Sequence, residues 1–440
     1  MPKPPFRADH VGSFLRPAAL LEARWAFKQG RIDTAALRVA EDAAIRDVVA
    51  MQESLGFHGI TDGEFRRTYF HTDFLLQLDG VDEAGGTQVK FHQHGGKELE
   101  YAPPVMKVTG PVRHAHDIQR RDFEFLASCT SQTPKVTIPS PTMLHFRGGR
   151  DAIDAIAYPD LDQFYEDIAA AYRAEIASLA DAGCRYLQLD DTNLAYLCDE
   201  TQRDNARHRG MDPDELPRLY ARIINDSIRD APADMVICVH LCRGNFRSSW
   251  AAEGGYEPVA EVLFNDLAVD GYFLEYDDPR SGDFAPLRHV PKGKTVVLGL
   301  VTTKLADMES ADDVKRRIDD AAIPAARPSG AFAAMRLLVD GARQRYRDGA
   351  AIGEAAAGDG SRPRRLGHDL TDQSVARSWV GSEPGVRSGK TLTRAALRNS
   401  RRSRSASRAR SRHSRFRRAA YDARMHRLRG SDASAWSDTS

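Results

Sequence analysis

Histidine and cysteine two residues apart, at His240-Leu241-Cys242, are the sharpest chemical signal in this 440-residue chain. On an extended strand such positions face the same side, so an imidazole and a thiolate could share one metal ion. Glu275, at the end of the next apolar run, adds a carboxylate. Nitrogen, sulfur and oxygen donors suit Zn²⁺, although a tetrahedral site needs one more ligand. An ion held this way could take a substrate thiol, lower its pKa and hold it as a nucleophilic thiolate. A buried histidine and cysteine without metal is the alternative reading of the tripeptide by itself. Cys184 and Cys198 read as core thiols. His92 and His94 read as exposed hairpin residues, and Asp277 and Asp278 as a helix cap or solvent-facing acids.

Other polar clusters follow short apolar runs. They are His10-Val11-Gly12-Ser13, Thr61-Asp62-Gly63-Glu64, Leu189-Asp190-Asp191-Thr192-Asn193 and Phe273-Leu274-Glu275-Tyr276-Asp277-Asp278. The runs themselves read as strands around Val11 and at Gly59–Thr61, Val136–Ile138, Tyr186–Leu189, Val236–Val239, Tyr272–Leu274 and Val296–Leu300. Most are separated by helical patterns. Leu161, Phe164, Ile168, Tyr172, Ile176 and Leu179 recur at spacings of three and four, and Gly183 closes that helix. Ala35–Leu55, Pro213–Ile228 and Ala311–Ala322 are further helices, and residues 85–110 form a hairpin excursion (Val89–Phe91, then Met106–Thr109). Strand–helix repetition over some 300 residues predicts an α/β fold, a (β/α)₈ TIM barrel. In such a barrel the carboxyl ends of the strands converge on one face, where active sites lie.

Composition sets the outer limits. Apolar residues make up 42% of the chain and charged residues 28%, which excludes wholesale disorder. No stretch approaches the ~18 apolar residues of a membrane span, and five cysteines do not make a disulfide framework. A cytoplasmic, reducing location is expected. The zero net charge hides a split: residues 1–323 carry 37 Lys and Arg against 52 Asp and Glu, and residues 324–440 carry 25 against 10. Only Lys390 among those 25 is a lysine.

The ordered motifs resemble the catalytic barrel of the cobalamin-independent methionine synthase family, especially its short single-barrel members. They are HVGSFLRP (His10–Pro17), DGEFRR (Asp62–Arg67), TIPSPTMLHF (Thr137–Phe146), YLQLDDTN (Tyr186–Asn193), HLCRGNFRSSWAAEGGYEPVAEVLF (His240–Phe264), FLEYDDPRSGDFAPL (Phe273–Leu287) and VVLGLVTTK (Val296–Lys304). The resemblance implies transfer of a methyl group to homocysteine, giving methionine, with zinc as cofactor. It implies His240, Cys242 and Glu275 as zinc ligands. Gly12 and Ser13 would receive the amino acid's carboxylate, and Glu64 and Asp190 its ammonium. Charge-assisted bonds of both signs are what a zwitterion needs. Phe146 stands where two-domain members carry a pterin-contacting tryptophan. Lys304 stands near a position where they place a proton-handling histidine, and with Asp191 it is a candidate for proton transfer. The methyl donor is methyltetrahydrofolate or a methyl-corrinoid protein. A non-catalytic thiol-binding barrel is the second reading. A uroporphyrinogen decarboxylase-like enzyme is the third, and it does not need His-x-Cys.

The family's eighth strand carries L-S-P-Q-C-G-F-x-S-T, whose cysteine is a further zinc ligand. This chain has no cysteine after Cys242. Synonymous codons exist for Ala331–Asp340 that, read one base later, spell L-S-P-Q-C-G-F-L-S-T. The ATG of Met335 followed by a CGN codon for Arg336 supplies the TGC of the cysteine. The expectation is a frameshift near Ile323, a barrel over 1–323 with its eighth strand missing or altered, and a non-native Arg/Ser-rich tail over 324–440. Met335–Val339 is apolar enough for a short strand but brings no thiol. The competing reading takes Arg401-Arg402-Ser403-Arg404-Ser405 and its surroundings as a nucleic-acid-binding arm.

Overall fold

The alternation of apolar runs and helical periodicity becomes an alternation of strands and helices in the computed structural model. It describes residues 3–325, apart from 86–88, 94, 102–104, 246–247, 303, 306 and 308, and a strand at 334–338. Eight short strands carry the architecture: β1 (Ala8–Asp9), β2 (Gly59–Ile60), β3 (Val136–Pro139), β4 (Tyr186–Asp191), β5 (Val236–Leu241), β6 (Gly271–Glu275), β7 (Thr295–Gly299) and β8 (Ala334–Leu338). Seven of them form one sheet in the order β1-β8-β7-β6-β5-β4-β3. Every pair in it is parallel. β2 pairs with Thr133–Pro134, and Lys135 separates that segment from β3. The stretch 133–139 therefore links β2 to the main sheet. No ladder joins β1 to β2 among the described residues. Their ends are tied instead by Thr61 Oγ1 donating to the Gly12 carbonyl at 2.8 Å and by Phe14 N donating to the Gly63 carbonyl at 3.1 Å.

Two expectations change. The eighth position is not empty at the backbone level. β8 lies between β7 and β1, with Val296 opposite Met335 and Ala8 opposite Leu337. The apolar run that reads as a possible strand outside the family motif takes that place. The rest of the expected tail, residues 326–333 and 339–440, lies outside the described residues. The excursion is also longer than one hairpin. Asp79–Ala84 pairs antiparallel with Val105–Arg113, and Val89–Gln93 pairs with Lys97–Tyr101.

The helix read from Leu161 to Leu179 spans Leu161–Asp181. Its N-cap Asp160 accepts from Asp162 N at 3.0 Å, and Gly183 takes a φ of +98° just past its end. Phe164, Ile168, Tyr172, Ile176 and Leu179 are all buried, each adding about 1.5–3 kcal/mol by removal from water. The helix over Thr34–Ser54 is capped in the same way by Asp33, which accepts from Ala36 N.

Strand alternation sorts side chains onto two faces. Leu187, Leu189, Ile237, Val239, Tyr272, Leu274, Val296 and Leu298 join the large core shared with the helices. Tyr186, Cys238, Phe273 and Val297 pack with Phe6 on the opposite face. Lys135 is fully buried there, with Nζ 3.4 Å from Asp9 Oδ1, 2.7 Å from the His10 carbonyl and 4.0 Å from the Phe273 ring centre. Tyr186 donates to the other Asp9 oxygen at 2.7 Å. By strand parity Asp190, His240, Cys242 and Glu275 share this face, nearer the carboxyl ends.

Candidate active site

Register brings the chemistry together. Asp190 on β4 lies opposite His240 on β5, and His240 opposite Phe273 on β6. His240 Nδ1 is 3.1 Å from Asp190 Oδ1, which also accepts from Gln188 Nε2 at 2.7 Å. Arg67, just past the turn that follows β2, reaches Asp190 Oδ2 at 3.3 Å and also clasps Glu64 Oε1. Thr137 on β3 donates to the same Glu64 oxygen at 3.2 Å. Burial alone would raise the Asp190 pKa, but His240, Arg67 and Gln188 outweigh it and hold the carboxyl below its ordinary value. Glu64 adopts φ +60°, a conformation uncommon for a residue with a side chain. Gly12, at φ +112°, lets the β1 loop pass close: a Cβ there would stand 2.9 Å from Thr137 Cγ2 and 3.2 Å from Glu64 Oε1. Ser13 is half-buried beside it. Gly12, Glu64 and Asp190, three of the four residues expected to bind the amino acid, thus border one charged cluster. Arg67 is bridged between its two carboxylates.

A second cluster surrounds Glu275. Lys304 Nζ donates to Glu275 Oε1 at 2.9 Å and to Asp277 Oδ2 at 2.7 Å. Arg280 binds Glu275 as well as Asp277 and Asp278, and Asn245 Nδ2 donates to Glu275 Oε2 at 3.1 Å. Burial opposes ionisation of Glu275, yet Lys304, Arg280 and the nearby Arg243 hold it well below the usual carboxylate range. Burial would lower the Lys304 pKa, but Glu275 and Asp277 raise it. Burial, helped by Glu275, pushes the Cys242 thiol up to about 11, so the thiol carries its proton at neutral pH. Asp278 caps the turn Pro279–Ser281 by accepting from Arg280 N, as one of its expected roles required, whereas Asp277 is buried in the ion cluster.

The expected zinc donors stand on neighbouring strand ends but are not gathered. Among the described residues no group of three His, Cys, Asp or Glu side chains is placed to hold a metal ion. The chemistry of the donor set still suits zinc: imidazole nitrogen, thiol sulfur and carboxylate oxygen, with Cys242 and Glu275 close enough to interact electrostatically. What competes is Glu275's commitment to Lys304, Arg280 and Asn245.

The remaining expected residues have structural surroundings. Phe146 is buried at the end of the short helix Met143–Phe146, with ring centres 6.0 Å from Tyr196 and 6.1 Å from Tyr220. It packs inside an aromatic cluster. Asp191 accepts from Thr142 Oγ1 at 3.0 Å and from Leu194 N at 2.8 Å, capping the helix Asn193–Tyr196, and burial raises its pKa. Cys184 and Cys198 are buried thiols, and His92 is exposed. Arg67, Arg280 and Asn245 were not singled out from sequence. The first two lie inside DGEFRR and FLEYDDPR, where each follows acids it neutralises, so charge balance within the motifs was the available signal.

Residues 6–328 match the family described as cobalamin-independent synthase, catalytic domain. The chain is 45% identical over 323 residues to the uncharacterized protein YxjH of Bacillus subtilis strain 168, covering 73% of this chain and 84% of that one. It is 29% identical over 194 residues to a 5-methyltetrahydropteroyltriglutamate–homocysteine methyltransferase of Synechococcus, covering 43% of this chain and 24% of that one. Among solved structures, that of a putative vitamin-B12 independent methionine synthase from Listeria monocytogenes is similar. It is 36% identical, with a TM-score of 0.60, covering 78% of this chain and 92% of that one.

Proposed function

The chain belongs to the cobalamin-independent synthase catalytic-domain family, and on that footing we propose that its barrel transfers a methyl group to the thiol of homocysteine, forming methionine. The observation that carries this reading is the alignment of Asp190, His240, Cys242 and Glu275 at the carboxyl ends of the adjacent strands β4, β5 and β6, with Glu64, past the end of β2, joined to Asp190 through Arg67. The contacts between the ends of β1 and β2 support closure of the sheet into the (β/α)₈ barrel that such a face requires. Its setting is the reducing cytoplasm, where Cys242 stays a free thiol.

Glu64 and Asp190 receive the substrate ammonium, displacing Arg67 from between them. The Gly12–Ser13 backbone and hydroxyl receive the carboxylate. His240, Cys242 and Glu275 would hold zinc, which when bound supplies Lewis-acid lowering of the substrate thiol's pKa. The sulfur attacks the methyl carbon in line; a carbon–sulfur bond forms, the bond from carbon to the donor atom breaks, and a proton reaches the departing group. Lys304, with its raised pKa, acts as a counter-ion to Glu275 rather than as that proton's source. Asp191, committed to capping, is no better placed. Methyltetrahydrofolate is the leading donor, with a methyl-corrinoid protein as the other.

A second reading fits the 440-residue chain as it stands. The family's eighth-strand cysteine is absent, and Glu275 is closed off by Lys304 and Arg280. Such a barrel binds homocysteine without turning it over. The sequence-based inference of a frameshift near Ile323 supplies the cause. Zinc titration separates the readings: the 440-residue chain should bind zinc weakly, and His240→Ala or Cys242→Ser should weaken it at least roughly tenfold further. Zinc uptake unchanged in both variants would remove His240 and Cys242 from the site.

A further inference from the structure

His71 is a buried imidazole, 3% exposed, with neither ring nitrogen hydrogen-bonded among the described residues. Its ring lies against that of Phe70, at 4.5 Å between centres. Unsatisfied buried polar atoms are rare in folded proteins, and each is disfavoured by about 1–3 kcal/mol, so two on one ring call for a partner. Arg147 and Arg67 lie close enough, after burial itself, to help drive the His71 pKa down to about 3, so the ring is neutral and stands in a positive field.

Arg147 follows Phe146, with its guanidinium 5.9 Å from the centre of the Tyr196 ring. Arg209 lies over the Phe146 ring at 5.6 Å. The two guanidinium groups feel each other's charge, and neither forms an ion pair with a carboxylate among the described residues. Each is half-buried. Arg147 thus stands between an unpaired imidazole and a second guanidinium, on segments that follow β2, β3 and β4, and an anion shared between them would relieve the repulsion. The group also borders the reaction centre. Tyr196 interacts electrostatically with both Arg147 and Cys242, and a Cβ on Gly244 would stand 2.1 Å from its hydroxyl.

We infer that His71, Arg147 and Arg209 form a subsite for an anionic oxygen group, carboxylate or phosphate, carried by the second substrate. Its assignment to the methyl donor rests on the methyl-transfer reading; the anion site itself does not. The guanidinium groups supply charge and paired donors, and the neutral imidazole adds one N–H and one acceptor. Arg67 is left to the amino-acid cluster.

The test is calorimetric titration of the 440-residue chain at low ionic strength with two probes, glutarate and inorganic phosphate. One of them should saturate a single site whose affinity falls as salt is added. Arg147→Gln and Arg209→Gln, at half-buried positions, should each weaken that probe at least roughly tenfold. His71→Leu should weaken it without altering the salt dependence, and circular dichroism checks that each variant is folded. Homocysteine titrated into the same variants should bind as it does to the unaltered chain. Failure of both probes to bind the unaltered chain, or equal affinity in folded Arg147→Gln and Arg209→Gln variants, overturns the subsite. Anion binding that persists while homocysteine fails to bind sustains the subsite and overturns the methyl-transfer reading instead.

Discussion

Single positions carry the narrowest predictions. Gly12→Ala places a methyl group against Thr137 and Glu64 at a φ of +112°. It should destabilise the fold by roughly 1–3 kcal/mol and weaken homocysteine binding together, read by urea denaturation and by titration. Full stability with unchanged binding would show that the loop does not hold this approach. Lys135→Met strips the cation from fully buried Asp9, leaving its carboxylate with neutral donors alone, which should cost about 3–5 kcal/mol by the same denaturation assay. Three buried histidines set the acid limit. Burial lowers His10 and His145 to about 4 and His71 to about 3, against about 6.5 in an unfolded chain. Above pH 6.5 neither state is protonated at these rings. As pH falls from 6.5 towards 4 the unfolded chain binds protons the folded one refuses, so stability drops by up to about 1.4 kcal/mol per pH unit for each ring. Urea midpoints at pH 7.5, 6 and 5 should fall in that order, and His145→Gln should flatten the slope. A slope unchanged in His145→Gln contradicts the assignment. The proximity of candidate residues was legible at this scale where residue type and strand position coincided, as for Asp190 and His240. Arg67, Arg280 and Lys304 were harder to place, because a cation that neutralises a buried acid leaves no periodic signature; only the folded register brings them together.

Elements were legible wherever the apolar pattern was long. The helix over Leu161–Asp181 and strands β4 to β7 fall where periodicity puts them. β1 does not: it lies at Ala8–Asp9 rather than around Val11, because Gly12 and Ser13 are drawn out of the sheet towards Glu64. β8 was the hardest to anticipate. Ala334-Met335-Arg336-Leu337-Leu338 lacks the family's motif, yet the edges of β7 and β1 need a partner for their backbone groups, and this apolar run supplies one. If β8 holds those edges in solution, Leu337→Pro should remove a ladder N–H opposite Ala8 and lower the thermal midpoint by several degrees. Amide hydrogen exchange should then speed up in β1 and β7 before β4. Identical exchange in the variant would mean that β8 contributes nothing to the sheet.

For the whole molecule, the acidic body and the arginine-rich tail divide near the helix Ala311–Ala325. The body carries every residue assigned to methyl transfer, and the family match stops at residue 328. An eighth strand that pairs with its neighbours but brings no thiol completes a sheet without completing a metal site. That account makes stability and activity separable: this chain can fold around β8 and still lack catalysis. The most direct measurement is methionine formation from homocysteine, with methyltetrahydrofolate or methylcobalamin as donor, by two zinc-supplied proteins. One is the 440-residue chain, and the other has its reading frame restored after Ile323 so that a cysteine returns on the eighth strand. The account predicts activity in the restored protein that Cys242→Ser abolishes, and at most roughly a hundredth of it in the 440-residue chain. Equal and full activity in the 440-residue chain, or none in the restored protein with either donor, would contradict it.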